Sequence, residues 1–291
     1  MNVRKAVIPA AGWGTRFLPV TKSVPKELLP LIDKPVIQYA IEEAAASGIS
    51  DVILVTSAGK EAIRDYFDRA FELEGVLEGK GDAKRLQLVR SPADLANIIT
   101  VLQPEQLGLG HAVLMATAAV GNEPFAVFLP DDVLEAPRPV IRQLMDVYEK
   151  SGGSVIAVQR VSDLDVTRYG IIDGQPAGDR TYKLRRVVEK PKLPDAPSRL
   201  AIIGRYILAP EVFGLLESGK PGAIGEIQLT DGIDGLIRTQ AVYAYEYAGT
   251  LYDAGTPLGL LKASVMTALK REDMAPDFLA WLRDLTARDF R

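Results

Sequence analysis

Through the first half of the chain, short apolar, β-branched runs alternate with segments whose apolar residues recur at helical spacing. Residues 3–8 form the first run. Over 36–47 the apolar positions Ile37, Ala40, Ile41, Ala44 and Ala45 predict a helix, and Gly48 supplies a stop where positive φ is needed. Residues 51–56 read as a second strand, 60–72 as a helix, 86–90 as a third strand and 110–120 as a helix. Residues 125–129 form a fourth strand, ending at Pro130-Asp131-Asp132. This alternation predicts βαβ units and a largely parallel sheet.

The second half changes character. Residues 155–160, 169–173, 184–189 and 200–208 read as strands with few long helices between them, which predicts a mixed extension of the sheet. Helices are expected at 210–217 and 227–238, with a strand at 242–247. The stretch 257–291 reads as two helices broken near 273–276. In the second of them Phe278, Trp281, Leu282 and Leu285 make an apolar stripe that suits packing on its own domain or a shared subunit interface. No repeat, low-complexity segment or linker interrupts the chain. The fold class is α/β, with a Rossmann-like, mixed and mostly parallel central sheet flanked by helices. One α/β domain is expected over 1–255, with parts at about 1–135 and 136–255, followed by C-terminal helices over 256–291.

Composition then limits the chemistry. The 291 residues hold 34 Lys and Arg against 38 Asp and Glu, a net charge of -4, with one His and no Cys. Without Cys there are no disulfides, thiolate nucleophiles, iron-sulfur clusters or Cys-ligated zinc, and one His excludes multi-His metal sites. Carboxylates, Lys, Arg and backbone amides are left to do the work. A hydrophobic fraction of 47% with 25% charged residues is ordinary for a globular protein. The apolar run at the start is too short for a signal sequence, and no run of about 18 apolar residues occurs. A cytoplasmic protein is expected, with no membrane and no nucleic-acid partner, since the weakly acidic total offers no basic footprint.

Ala10-Ala11-Gly12-Trp13-Gly14-Thr15-Arg16 follows the first strand, where an open α/β sheet places its ligand crevice. Small residues let backbone N–H groups approach a phosphate, and Arg16 can neutralise it. The spacing fits neither the dinucleotide fingerprint nor the P-loop. A Pro-punctuated loop comes next. Between Arg16 and Lys34 it carries Arg16, Lys22, Lys26 and Lys34 against Glu27 and Asp33, locally cationic in an acidic chain, which favours triphosphate binding over a plain tight turn.

Other candidates lie downstream. Gln103 offers a donor and an acceptor ahead of the Gly108-Leu109-Gly110 turn, which suits the imide edge of a pyrimidine but is also an ordinary loop arrangement. The lone His111 reads as helix-starting structure. Asp131 and Asp132 end a buried strand, where paired carboxylates could hold Mg²⁺ with substrate phosphates or simply turn the chain. Asp253 is an isolated acid that could join them or cap the helix near Pro257. Glu189-Lys190 before Pro191 could hold sugar hydroxyls and a phosphate, or form a surface ion pair.

The stretch AAGWGTRFLPVTKSVPKELLPLIDKPVIQYAIEEA resembles the N-terminal signature of bacterial sugar-1-phosphate nucleotidylyltransferases, and VEKP, IGRY, GEIQLTD and YGIID match it further along, so that the resemblance spans residues 3 to about 270. Pro130 departs from the more usual Gly, which removes a backbone donor but leaves both carboxylates. The resemblance implies a nucleotidyltransferase, GT-A-like fold with a nucleotide-binding first part and a sugar-binding second part. It implies transfer of uridylyl from UTP to α-D-glucose 1-phosphate with Mg²⁺, giving UDP-glucose and pyrophosphate. In that reading Ala10, Ala11, Gly12, Gly14, Thr15, Glu27, Gln103, Gly108 and Asp132 bind the nucleotide, and Arg16, Lys26 and Lys190 are the catalytic cations. Gly170, Glu189, Gly204, Glu226 and Thr230 join Lys190 at the sugar, Asp131 and Asp253 hold the metal, and the protein is a homo-oligomer, dimer or tetramer. The rivals are a thymidylyltransferase using dTTP and a non-catalytic sugar-nucleotide-binding paralogue.

Overall fold

The computed structural model describes residues 3–219 and 225–287. Its strands in chain order are β1 (Lys5–Pro9), β2 (Pro30–Leu31), β3 (Lys34–Pro35), β4 (Asp51–Thr56), β5 (Asn97–Leu102), β6 (Phe125–Phe128) and β7 (Asp132–Glu135). They continue with β8 (Ser154–Arg160), β9 (Gly170–Gly178), β10 (Thr181–Glu189), β11 (Leu200–Leu208), β12 (Val242–Glu246) and β13 (Thr250–Asp253). The helices are α1 (Val36–Ala46), α2 (Glu61–Tyr66), α3 (Phe71–Gly79), α4 (Ala83–Arg90), α5 (Leu109–Met115) and α6 (Thr117–Val120). After them come α7 (Val140–Ser151), α8 (Val212–Ser218), α9 (Leu229–Thr239), α10 (Pro257–Ala268) and α11 (Ala275–Ala287).

A nine-stranded sheet runs in the order β5-β4-β1-β6-β11-β8-β12-β10-β9. β5, β4, β1 and β6 are parallel to one another. β11 enters antiparallel between β6 and β8, β12 lies parallel to β8, and β10 and β9 close the far edge antiparallel. The sheet is therefore mixed, parallel on the side of the glycine turn and mainly antiparallel on the other. All four residues of β6 and all nine of β11 are buried, as central strands must be when helices cover both faces. One face packs against α5, α8 and α9 through Val113, Val212, Leu229 and Ile233. The other packs against α1 and α7 through Ile37, Ile41, Ile141 and Leu144.

Several expectations are corrected. Residues 86–90 are not a strand but the end of α4, whose N-cap Asp82 accepts a hydrogen bond from the Arg85 amide at 3.1 Å. Two alternating leucines in a Lys- and Arg-rich segment imitate strand periodicity, but its residues are helix formers and none is buried. The parallel edge strand is β5, which begins seven residues after that segment ends. The helix expected over 60–72 is interrupted and becomes α2 and α3, and that over 110–120 becomes α5 and α6. The second half holds a long helix that the pattern did not single out, α7, whose Val140, Ile141, Leu144 and Met145 are buried and which stops at Gly152, φ 69°.

A two-stranded ribbon, β7 with β13, stands apart from the main sheet and sets Asp253 directly opposite Asp132. At the C-terminus the two expected helices form as α10 and α11, but the break lies at 269–274, a few residues before the expected 273–276, and residues 288–291 of the predicted stretch lie outside the described residues. α11 buries none of its residues. Phe278 and Trp281 stack on each other at 5.7 Å, with Trp281 exposed. Among the described residues no helix is long and apolar enough to cross a membrane.

Candidate active site

The glycine turn is held from below. Ala10 extends β1 by one more bond, its amide donating to the Val55 carbonyl at 2.7 Å. The ammonium of Lys60, at the mouth of α2, then donates to the carbonyls of Ala10 (2.7 Å) and Gly12 (2.6 Å) and to Glu27 Oε2 (2.9 Å). Gln106 Nε2 donates to the Ala11 carbonyl at 2.8 Å. Each of these three successive carbonyls is held, and in a planar trans peptide the amide of the following residue points opposite to the carbonyl before it. Gly14 is required by its φ of 65°, and a Cβ there would lie 3.0 Å from Lys26 Cβ. Burial raises the carboxyl of Glu27 despite the nearby Lys60 and Lys26, and burial lowers Lys60 despite Glu27. Glu27 Oε1 is buried without a partner.

Above the turn lies a cavity of about 450 Å³ lined by Ala11, Gly12, Arg16, Lys26, Glu27, Gln103, Gln106, Gly108, Pro130, Asp131 and Glu226 among others. Gln103 sits just past β5, its amide bonded to the Thr56 carbonyl at 2.7 Å. Its Nε2 is 3.0 Å from His111 Nδ1 and 3.3 Å from the Gly108 carbonyl. The buried His111 therefore orients Gln103, a structural task at the start of α5. Gly108 adopts φ 101°, and a Cβ would meet the Ile227 carbonyl at 2.8 Å. The turn docks there through Gly110 N to Ile227 O (2.8 Å) and Ile227 N to Leu107 O (2.7 Å). This brings the second-half residue Glu226 to the wall of a first-half cavity.

A second cavity, about 440 Å³, adjoins it and is lined by Arg16, Asp131, Asp132, Arg168, Gly170, Glu189, Lys190, Gly204, Tyr206, Glu226, Thr230 and Asp253 among others. Glu189 pairs in register with Gly170 across β10 and β9, so residues nineteen apart in sequence share one wall. A Cβ on Gly170 would come within 3.2 Å of Glu189 Oε2 and 3.1 Å of Thr230 Cγ2. Lys190 has φ 42°, a strained conformation for a non-Gly residue. Its ammonium lies 3.3 Å from Glu189 Oε1.

The carboxylates sit where the cavities meet. Lys26 Nζ binds Asp131 Oδ2 at 2.7 Å. Burial works to raise Asp131, but the charge and hydrogen bond of Lys26 outweigh it and hold the carboxyl below its usual range. Burial likewise opposes the charge on Lys26, and Asp131 with Glu27 reverses that and raises it. Asp132 turns the other way, its Oδ2 accepting from the Gly204 amide at 2.8 Å. Burial first, and then the neighbouring charge of Asp131, push its carboxyl up to about 7. Asp253 Oδ1 accepts from the Gly255 amide at 2.9 Å and Oδ2 from Arg168 at 2.9 Å. The helix cap that it might have been is Thr256, whose hydroxyl accepts from Gly259 N at 3.1 Å. The point where a Gly255 Cβ would stand is 2.9 Å from Asp131 Oδ2 and 3.0 Å from Asp253 Oδ1. Two hard carboxylate oxygens near one point are the donor chemistry that Mg²⁺ takes, with phosphate oxygens and water completing its shell.

Most of the residues singled out in the sequence thus line one of two joined cavities. Ala10, Gly14 and Thr15 line neither and act through the shape of the turn. Asp132, expected beside the nucleotide, faces the second cavity. Of the four cations between Arg16 and Lys34, only Arg16 and Lys26 line either of these two cavities, while Lys34 pairs with Glu42 at 2.8 Å. The sequence reading missed Lys60, Gln106, Arg168 and Arg205. Fully buried Arg205 fixes the strand-end turn, its guanidinium donating to Glu43 Oε2 (2.9 Å) and to the carbonyls of Leu129 (3.1 Å), Gly204 (2.9 Å) and Asp132 (2.9 Å).

A glycine turn after a central strand, two joined polar cavities and carboxylates between them define a class of protein that joins two anionic substrates, and the chain belongs to the nucleotidyl transferase family, whose profile matches residues 5–269. Within that class, it is 53% identical over 284 residues to a UTP--glucose-1-phosphate uridylyltransferase of Staphylococcus epidermidis, covering 98% of this chain and 99% of the relative. A UTP-bound UGPase from Acinetobacter baumannii superposes with a TM-score of 0.89 at 40% identity, covering 98% of this chain and 100% of that one. A UDP-glucose pyrophosphorylase complexed with UDP-glucose gives 0.85 at 40% identity, over 93% of this chain and 100% of the other.

Proposed function

We propose that the protein transfers the uridylyl group of UTP to α-D-glucose 1-phosphate, releasing pyrophosphate and forming UDP-glucose. The observation that carries this reading is the junction: Arg16, Leu109, Leu129, Asp131 and Glu226 line both cavities, so that two ligands filling them would meet at Asp131 and Arg16. The nucleotide-binding part over about 1–135 and the sugar-binding part over 136–255 face each other across that junction.

The glycine turn offers its amides to the triphosphate, and Gln103 and Gly108 face the base. Arg16 neutralises phosphate, while Lys26 meets charge developing on the α-phosphate and the departing pyrophosphate. Glu189 accepts from sugar hydroxyls, Gly170 and Gly204 leave room for the ring, Glu226 and Thr230 border it, and Lys190 draws in the sugar phosphate. An oxygen of that phosphate attacks the α-phosphorus in line with the leaving pyrophosphate, so no protein nucleophile or proton transfer is needed. Catalysis is positioning with charge neutralisation, which a chain without Cys and with one His can supply. Mg²⁺ held by Asp131 and Asp253 would polarise the α-phosphate oxygens when bound. We further propose a cytoplasmic enzyme, since UTP and sugar phosphates do not cross a bilayer unaided, and a homo-oligomer, dimer or tetramer, for which Trp281, exposed on α11 and stacked on the half-buried Phe278, argues.

The test is pyrophosphate release with purified protein, glucose 1-phosphate and Mg²⁺, run with UTP and with dTTP. Turnover with UTP well above dTTP is expected. Faster turnover with dTTP would make it a thymidylyltransferase, and silence with both would favour a non-catalytic sugar-nucleotide-binding protein.

A further inference from the structure

Each carboxylate proposed for the metal is already held by a cation of the chain itself. Lys26 occupies Asp131 at 2.7 Å, and Arg168 occupies Asp253 at 2.9 Å. Arg168 precedes β9, lies over the ring of Tyr169 at 5.7 Å, and lines the cavity that also holds Glu189 and Lys190. Its other guanidinium nitrogen donates to Asp165 Oδ1 at 3.1 Å, so the head bridges a surface loop and the inner carboxylate.

A guanidinium on one oxygen of a carboxylate, here Oδ2 of Asp253, and a divalent ion on the other draw on the same negative charge, so each weakens the hold of the other. Once a divalent ion takes Asp253 through Oδ1, the charge that holds Arg168 on Oδ2 is spent on the ion and the two cations repel. The sugar substrate brings a phosphate into the same cavity, and its geometry suits a guanidinium fork. Lys26 stands in the same relation to Asp131 and the triphosphate.

We infer that Arg168 is a guard for the metal carboxylate: it neutralises Asp253 in the empty site, is displaced when a divalent ion binds, and passes to the phosphate of the sugar substrate. The exchange makes metal and sugar phosphate bind cooperatively, since each takes one of the two partners that otherwise satisfy one another. The inference rests on the proposal that Asp131 and Asp253 hold the metal, and the experiment separates the two.

The test is Arg168→Gln, checked for an unchanged circular dichroism spectrum. Asp165 keeps Ser162 as a donor at 2.7 Å, so the loop retains its anchor. Mn²⁺ is titrated by electron paramagnetic resonance into the protein without nucleotide or sugar phosphate. Removing a half-exposed competing cation is expected to tighten Mn²⁺ binding about two- to fivefold. In turnover, the KM for glucose 1-phosphate is expected to rise about tenfold or more, the scale of a charge-assisted hydrogen bond, with partial rescue by Arg168→Lys. Mn²⁺ affinity equal to or weaker than wild type overturns the guard, and an unchanged KM overturns the transfer to phosphate. Asp131→Asn and Asp253→Asn are titrated alongside. If both bind Mn²⁺ as wild type does, the metal assignment itself falls, whereas weakened binding there with no tightening in Arg168→Gln removes only the guard.

Discussion

Replacing Arg205 by Met removes the buried cation on which the carboxylate turn is built while keeping an unbranched side chain of similar reach. Arg205 is 1% exposed and its ion-pair partner Glu43 is largely buried, so the variant leaves a carboxylate without its counterion in a poorly solvated place. Breaking a buried pair by removing one partner costs about 3–5 kcal/mol. The carbonyls of Leu129, Gly204 and Asp132 lose a donor as well, at about 1 kcal/mol each where water reaches them, and the Arg205–Phe128 contact at 4.8 Å is lost. These terms overlap, and a total near 5 kcal/mol is expected. For a chain of this size that lowers Tm by about 10–20 °C. Urea unfolding of both proteins measures the difference directly. Glu43→Gln in the Arg205→Met background should restore about 2 kcal/mol, because Gln keeps an oxygen for the Ile141 amide that Glu43 now accepts at 2.9 Å. A loss below about 1 kcal/mol, or a double variant no more stable than the single, would refute the account of Arg205 as the paired anchor of the turn.

Other perturbations reach different parts of the site. Lys60→Met removes the donor shared by the Ala10 and Gly12 carbonyls and Glu27, and the KM for UTP should rise at least tenfold, on the order of one buried charge-assisted bond; an unchanged KM would mean that the turn holds its shape without it. Gly108→Ala must move a Cβ away from the Ile227 carbonyl at 2.8 Å and accept φ 101°, so weaker UTP binding in calorimetry is expected, and wild-type affinity would show that the turn relaxes freely. Glu74, hydrogen-bonded first by Arg69 and then by Arg90, is held at about 2 against an ordinary value of 4.5. A depressed carboxylate adds stability that is complete above the unfolded value and is lost as pH falls toward the folded one. The Tm gap between wild type and Glu74→Gln should therefore narrow from pH 5 to pH 2, and a constant gap would sink the ion-pair explanation.

The parallel half of the sheet was legible because β1, β4 and β6 are apolar on both faces and bounded by turn residues, so length and composition suffice. β5 was not, because as an edge strand it has no buried position, only exposed and half-buried ones, and the neighbouring leucines of α4 carried a period-two signal. The β7–β13 ribbon was illegible for another reason. Its four-residue strands pair across more than a hundred residues, and what holds them is the partner and not local propensity. Yet this ribbon sets Asp253 against Asp132, so the sequence offered the carboxylates as candidates without the geometry that unites them.

The residues missed at the site did leave local signals, each a violation of what its own element prefers. Lys60 stands at the N-cap of α2, where the helix dipole disfavours a cation, and nothing in the helix explains it. The reason is the three acceptors beneath the glycine turn. Arg205 interrupts LAIIGRYIL, a strand otherwise suited to complete burial, and it is buried with the rest. A charge is retained there because backbone carbonyls at a strand end need a multivalent donor, which five guanidinium N–H groups supply and no apolar residue can. The groups proposed to touch substrate repeat a recognisable pattern, whereas the groups that hold them in place stand out as local contradictions of propensity and burial. Lys60 and Arg205 share one mechanism from opposite sides of the junction: each is a buried cation that ties backbone carbonyls to a carboxylate, Glu27 in one case and Glu43 in the other. The glycine turn and the carboxylate turn are thus each fixed from behind, leaving their front faces free to meet two anionic substrates.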